Sequence, residues 1–336
     1  MKAAVVEAKN QLVVRELPDP VIGDYDARCD LLYGALCAGT DVHLIRQDRP
    51  YCEWVTLPFV LGHESIGRVV EVGAKVRNLR PGDLVTRVGT PPSGGVNIGW
   101  GGFATMGVAK DWRAMQEDGV DGWKDSTVQQ VLPADIDPFV GTMFITWRET
   151  LSYTTRMGLR PGAKALVIGS GGNGLSFVAH CRNLGASRVT MVGAAGRAPQ
   201  GRLAGATDCL DYRDPDCWKK AMEIVPDGYD FVIDAVGKAA MTLQGLDCLR
   251  PGGTIGTYGM DEFYDLRLTP SKTFTCYAGG YDEAETHDAA LLHYRAGRLN
   301  PAAWIDRDHL FDLDDIHAAF ENLKTREVAK PVVRLA

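Results

Sequence analysis

The sequence predicts an α/β protein in two parts, a β-rich section followed by a doubly wound parallel sheet. Three observations carry that expectation. The stretch Ala165-Leu166-Val167-Ile168-Gly169-Ser170-Gly171-Gly172-Asn173-Gly174 reads as a short buried strand, a glycine-rich turn and the start of a helix. From about 146 to 285, strand-like runs alternate with helical lengths, the rhythm of a parallel sheet with crossover helices. From residue 1 to about 110, short alternating runs are separated by Pro and Gly turns, a sandwich or barrel pattern.

In the first part, residues 2–6, 12–14, 68–72 and 84–88 are the strand candidates, and Pro81-Gly82-Asp83 is a turn leading into the last of them. Residues 89–102 form a glycine-rich excursion of a length that is usually functional or mobile. In the second part, residues 165–168, 188–192, 231–233 and 254–258 are strand candidates. Beyond about 286 the chain reads as a helix at 289–294, a linker around Pro301 and a second helix after Asp312 carrying Ile316, Ala319, Phe320 and Leu323. A last strand, 331–335, is expected to return to the first part.

The glycines at 169, 171 and 174 sit between strand and helix, the context that gives G-x-G-x-x-G its meaning as a dinucleotide fingerprint. Gly169 allows the tight turn, Gly171 lets the backbone approach a pyrophosphate, and Gly174 lets helix and strand pack closely. Gly172 and Asn173 open the helix, whose unpaired N–H groups favour phosphate.

With 336 residues the chain can hold two domains, and its 45% hydrophobic and 24% charged content is that of a globular protein. A net charge of −7 offers no basic footprint, so neither nucleic acid nor an anionic membrane is an expected partner. There is no apolar run long enough to span a bilayer, and Glu7 falls where a signal peptide needs its apolar stretch, so a cytoplasmic protein is expected. The eight cysteines contain no C-x-x-C pair and read mostly as buried thiols.

Two further stretches in the β-rich part bear on chemistry: Cys37-Ala38-Gly39-Thr40-Asp41-Val42-His43 and Leu61-Gly62-His63-Glu64. With the fingerprint, Pro81-Gly82-Asp83-Leu84-Val85, Asp234-Ala235-Val236-Gly237 and Leu249-Arg250-Pro251-Gly252-Gly253, they make the chain resemble the zinc-dependent medium-chain dehydrogenase/reductase family over essentially its whole length. The resemblance implies a GroES-like β-barrel catalytic domain at 1–146 and 286–336, a Rossmann NAD(P)-binding domain at 147–285, and a cleft between them. It also implies hydride transfer between a nicotinamide and an alcohol or carbonyl carbon, with zinc as Lewis acid. Under it Thr40 would hydrogen-bond the substrate oxygen, His43 would pass its proton towards solvent, and Asp41 would orient the metal ligand His63. Glu64 can approach the metal.

The chain departs from the family pattern at the metal. The zinc cysteine is expected two residues before Thr40, where Ala38 stands, and Cys37 lies one residue earlier. Either a one-residue bulge restores Cys37 as a ligand or the thiolate is missing. A further ligand is expected near Phe144-Ile145, neither of which binds metal; Glu149 is the nearest candidate, several residues late. A structural zinc is not expected, because residues 90–110 hold no cysteine.

For the nicotinamide, the acid that would hold the ribose 2′-OH of NAD belongs nineteen residues past Gly174, at Gly193. A glycine there makes room for a 2′-phosphate, and Arg197 and Arg202 could pair with it. NADP is therefore expected over NAD. Ala235, Val236 and Tyr258 follow later strands and are expected to line the cofactor side.

The leading expectation is an NADP-dependent oxidoreductase acting on a secondary alcohol, polyol or sugar-like hydroxyl, or the matching ketone, with catalytic zinc left open. Arg46, Asp48 and Arg49 could suit a hydroxylated substrate. The alternatives are a zinc-free reductase of the quinone or enoyl type and a catalytically degenerate NADP-binding protein. Thr275-Cys276-Tyr277-Ala278 resembles the edge strand through which the family pairs subunits, so a homodimer or homotetramer is expected.

Overall fold

The first strand, β1 (Lys2–Ala8), buries Ala3, Ala4, Val5 and Val6 in succession, so both its faces are covered rather than one. It lies between β2 (Gln11–Glu16) and the short β4 (Phe59–Val60), in a sheet that β7 (Asn97–Ile98) completes. The hub of the same unit is the ten-residue β3 (Asp26–Ala35), which pairs antiparallel with β5 (Glu64–Val72) from Ala27 to Ala35 and with β8 (Met106–Lys110) over residues 26–30. β6 (Leu84–Thr86) and β9 (Val131–Leu132) extend that sheet beyond β5. The computed structural model describes residues 1–262, 264–265 and 271–336.

Helices in this unit are short. α1 (Thr40–Arg46) follows β3 directly, and α2 (Trp112–Glu117) starts at Asp111, whose carboxylate accepts the Ala114 N–H at 3.0 Å. α3 (Pro138–Gly141) has Asp137 as its cap and proline at its first position. α4 (Met143–Arg156) then carries the chain out of one compact unit, residues 1–145 with 305–336, into the other, residues 146–304.

The second unit is built on six parallel strands: β10 (Lys164–Ile168), β11 (Arg188–Gly193), β12 (Asp208–Asp211), β13 (Tyr229–Asp234), β14 (Leu249–Thr257) and β15 (Thr275–Tyr277). Their spatial order is β12-β11-β10-β13-β14-β15, the doubly wound arrangement. β12 is the strand that sequence reading omits; its four half-buried residues give no apolar run. Between the strands lie α5 (Gly172–Asn183), α6 (Ala198–Ala204), α7 (Cys217–Ile224) and α8 (Ala239–Cys248).

The expected boundary after 285 falls instead after Trp304. The reason is α4, which holds the next segment to itself. The fully buried Arg148 pairs with Glu283 and approaches His287, the Thr286 hydroxyl donates to Arg148 O at 2.8 Å, and Arg156 pairs with Glu285 at 2.7 Å. α9 (His287–Arg295) adds Tyr294 stacked on Trp147, and Trp304 meets Trp147 edge-on. The Trp304 indole N–H reaches Gly172 O at 2.9 Å. The chain then returns to the first unit as β16 (Leu310–Asp312), α10 (Ile316–Thr325) and β17 (Val332–Arg334), the last pairing antiparallel with β3 as expected.

One core residue of the second unit makes stability depend on pH. His180 on α5 is fully buried, and burial, aided by nearby His293, lowers its pKa to about 3. The unfolded chain takes up that proton near 6.5, so stability is complete above this pH and is lost as the pH falls below it. Between pH 6.5 and 5.5 the loss is about 1 kcal/mol. In urea unfolding at these two pH values, His180→Leu should shrink the difference by that amount; an unchanged difference would refute the assignment.

Candidate active site

Residue Ala35, at the end of β3, sets the geometry of the first unit's polar centre. It is in register with Glu64 on one side and with Val332 on the other. Two residues beyond it comes Cys37, just before its partner Glu64 comes His63, and two residues before Val332 comes Lys330. β3 carries an irregularity between Leu31 and Tyr33, where two steps along β3 answer one along β5. Beyond that bulge, Cys37 is placed beside His63 although Ala38 stands at the family's cysteine position.

Cys37, His63 and Glu64 are all buried, and a ligand atom from each lies within 4.8 Å of the others. Asp41, fully buried, ties two of them: one carboxylate oxygen accepts the Cys37 N–H at 2.9 Å, the other meets His63 Nδ1 at 3.1 Å. That contact leaves His63 Nε2 for the side of Glu64, whose Oε1 is 3.7 Å away. Burial pushes the His63 pKa down, but Asp41 and Cys37 together more than offset it, and it stands well above its ordinary value. Glu64 is paired on its other oxygen with buried Lys330. A thiolate, an imidazole held from behind by a carboxylate and a carboxylate oxygen would be a donor set suited to zinc, three protein ligands being what a catalytic zinc takes.

Thr40 is the first residue of α1 and half-buried. His43, one turn on, stacks flat on Tyr51 with ring centres 4.9 Å apart, and its Nδ1 meets Asp48 Oδ2 at 3.0 Å. The Asp48 side chain is 38% exposed, so this pair leads from a buried imidazole towards water. The 89–102 excursion is anchored: Gly102 N donates to Gly62 O at 2.7 Å, Phe103 N to Leu61 O at 2.8 Å and Thr90 N to Gly101 O at 2.9 Å. These bonds bring Trp100 to the His63 ring, 5.6 Å between centres.

In the second unit the fingerprint turn follows β10. Gly169 adopts φ +119°, and a Cβ on Gly174 would sit 2.2 Å from Gly169 O, so strand and helix meet at a distance only glycine permits. A Cβ on Gly171 would touch nothing within 4 Å, which leaves its backbone open to a ligand at the α5 N-terminus, where Gly172 and Asn173 follow. Gly193, Ala235, Val236 and Tyr258 lie at the carboxyl ends of β11, β13 and β14, beside that turn. These backbones suit a dinucleotide.

Three of the expected cofactor residues have protein neighbours or burial of their own. A Cβ at Gly193 would lie 2.3 Å from Ser170 Cβ, so the glycine accommodates Ser170, whose hydroxyl accepts the Ala194 N–H at 3.1 Å. Arg197 is buried and only Arg202 of the pair is exposed. Tyr258 turns its side chain into an aromatic cluster with Tyr153, Phe177 and Tyr281, and its hydroxyl donates to Glu149 at 3.0 Å. Glu149 also accepts from Tyr281 at 3.2 Å and lies in the second unit, outside the Cys37 group.

Lys330, Tyr51 and Trp100 are participants that sequence reading missed. Lys330 is 266 positions from Glu64, and only the β5-β3-β17 register joins them.

With this geometry in view, the comparisons are direct. Residues 24–118 match the alcohol dehydrogenase GroES-like domain and residues 172–276 the zinc-binding dehydrogenase domain. The chain belongs to the zinc-type medium-chain dehydrogenase family and is an NAD(P)-dependent dehydrogenase, a GroES-like domain joined to a Rossmann domain. It is 29% identical over 292 residues to an NADP-dependent isopropanol dehydrogenase of Clostridium beijerinckii, covering 82% of this chain and 81% of that one. To D-arabinitol dehydrogenase 1 of Uromyces fabae it is 25% identical, covering 90% and 89%. The solved alcohol dehydrogenase TADH from Thermus sp. ATN1 shares the fold over the full length of both chains, with a TM-score of 0.80 at 23% identity.

Two substitutions test the geometry. Lys330→Met strands the buried Glu64 carboxylate and should cost about 3 to 5 kcal/mol in urea unfolding of chelator-treated protein. Adding Glu64→Gln should recover most of it; no recovery would mean that the pair is not the cause. Gly193→Asp should weaken both NAD and NADP, because the new side chain collides with Ser170. A clean exchange of NADP for NAD would show that Ser170 yields freely.

Proposed function

We propose that the protein is an NADP-dependent, zinc-assisted oxidoreductase that interconverts a secondary alcohol, polyol or sugar-like hydroxyl with the matching ketone. The convergence of Cys37, His63 and Glu64 in front of Asp41 carries this reading. These three side chains would hold the zinc. When bound, zinc supplies a Lewis acid to the substrate oxygen and NADP supplies the hydride acceptor. The chain's own residues handle the proton and the positioning. The Thr40 hydroxyl, at the start of α1, would accept the proton of the substrate alcohol. His43 would receive it in turn and release it through Asp48 at the surface, and stacking on Tyr51 keeps the imidazole in place. Asp41 fixes the His63 tautomer by occupying Nδ1, and Lys330 holds Glu64 from the far side.

The NADP preference rests on the missing acid at position 193 and on the exposed Arg202, which would pair with the 2′-phosphate, with the buried Arg197 as the second candidate. NADP dependence of the isopropanol dehydrogenase relative supports it. The β15 edge, which pairs only with β14 among the described residues, would join two copies in a two-fold dimer.

The test is elemental analysis with an absorbance assay at 340 nm. About one zinc per subunit is expected, falling towards zero in Cys37→Ala and His63→Ala together with activity. NADP should outperform NAD in kcat/KM, and Arg197→Ala with Arg202→Ala should erase that advantage. Full activity in zinc-free protein would overturn the zinc assignment, and an unchanged preference in the arginine variant would overturn the cofactor one.

A further inference from the structure

Trp100 is a bulky residue at φ +67°, a left-handed backbone that large side chains rarely adopt. The surroundings enforce it. A Cβ on Gly89 would come within 1.8 Å of Trp100 O, and the following Gly101 is also left-handed, at φ +71°. The loop base is bonded to Leu61 and Gly62, immediately before His63. Such strain contributes nothing to the core, since the Trp100 residue remains 44% exposed and Trp54 49%.

These two indoles stand at 90° to each other with ring centres 6.5 Å apart. They continue a run of rings from His43 through Tyr51, Trp54 and Trp100 that ends at the candidate zinc ligand His63. A perpendicular pair of half-exposed rings offers one face and one edge to a third planar ring, the arrangement aromatic groups prefer at 4.5–7 Å. Of the charged side chains expected to suit a hydroxylated substrate, Asp48 pairs with His43 at 3.0 Å and Arg49 with Glu53 at 2.6 Å.

We propose that Trp54 and Trp100 form a ring-binding subsite that selects a secondary alcohol or ketone bearing a planar aromatic substituent. This rests on the reading that the reacting oxygen lies at Cys37, His63 and Glu64, and it narrows the substrate class of that site. The aromatic ring seats in the corner of the two indoles, and the carbinol carbon points to His63.

The test compares 1-phenylethanol with 2-butanol and sorbitol as substrates of the zinc-loaded protein with NADP, and measures acetophenone binding by calorimetry. The wild type should favour 1-phenylethanol over both others in kcat/KM. Trp54→Ala and Trp100→Ala should each lower the 1-phenylethanol to 2-butanol ratio about tenfold to a hundredfold and weaken acetophenone to a similar degree. Trp100→Gly guards against misfolding, because glycine relieves the left-handed strain; it should keep its melting temperature and still lose the preference. A wild-type preference for 2-butanol or sorbitol, or a ratio unmoved by the variants, overturns the subsite while leaving the dehydrogenase reading intact. If no alcohol is turned over, that reading fails, and calorimetry still decides: acetophenone affinity dependent on Trp100 sustains the subsite, and equal affinity in all variants refutes it.

Discussion

The register of three strands at Ala35 is the constraint on which the first unit's chemistry depends. β5 and β17 flank the end of β3, so Glu64 and Val332 face the same residue from opposite sides. A thiol, an imidazole, a carboxylate and an ammonium group, from three remote parts of the sequence, then meet without any one loop spanning them. Because strand side chains alternate between faces, a slip of one residue would turn the group apart. The buried ion pair of Glu64 with Lys330 stabilises the correct register only when it is fully formed, since either charge alone is costly to bury.

The second unit works by exclusion of side chains. Gly174 brings α5 against the turn, and Gly193 yields its space to Ser170. Likewise Gly237 and Gly259 pack backbone to backbone, a Cβ on either meeting the other segment at about 2 Å. The carboxyl ends of the strands are thus lined by main chain, which can approach a pyrophosphate, while large side chains such as Tyr258 are turned towards the helices. Asp234 is central to this arrangement. Its carboxylate accepts the N–H groups of Val236 and Gly237 and the Thr242 hydroxyl, fixing the turn after β13.

Much of this was legible in the residues. The fingerprint glycines announced β10 and α5 because their spacing is local. Cys37, His63 and Asp41 are legible through their neighbours in sequence, although the departure at Ala38 leaves the thiolate open there; the strand register that brings Cys37 near His63 is signalled by no periodicity. β3 itself escaped notice because it mixes charged and apolar residues along a half-covered sheet. β1 was found but misjudged in kind, because a strand covered on both faces shows no alternation. The boundary at 304 could not be read, since it is set by Arg148 and Trp147 gripping a segment more than a hundred residues away. Trp100 was part of a loop with no readable chemistry, and its backbone conformation, not its identity, is what singles it out.

The late arrival of β17 has a consequence for how the protein comes into being. During synthesis, β3 and β5 emerge early, and β8 covers residues 26–30 of the other β3 edge soon afterwards. Residues 33–35 stay bare on that edge until the whole of 146–304 has been made and the chain has returned. Throughout that interval Lys330 has yet to be made and the sheet presents an open ladder two residues before Cys37. The nascent protein therefore passes through a stage with its chemical centre unsealed, a window in which a chaperone, a stray strand or an early metal ion can meet the site before Lys330 does.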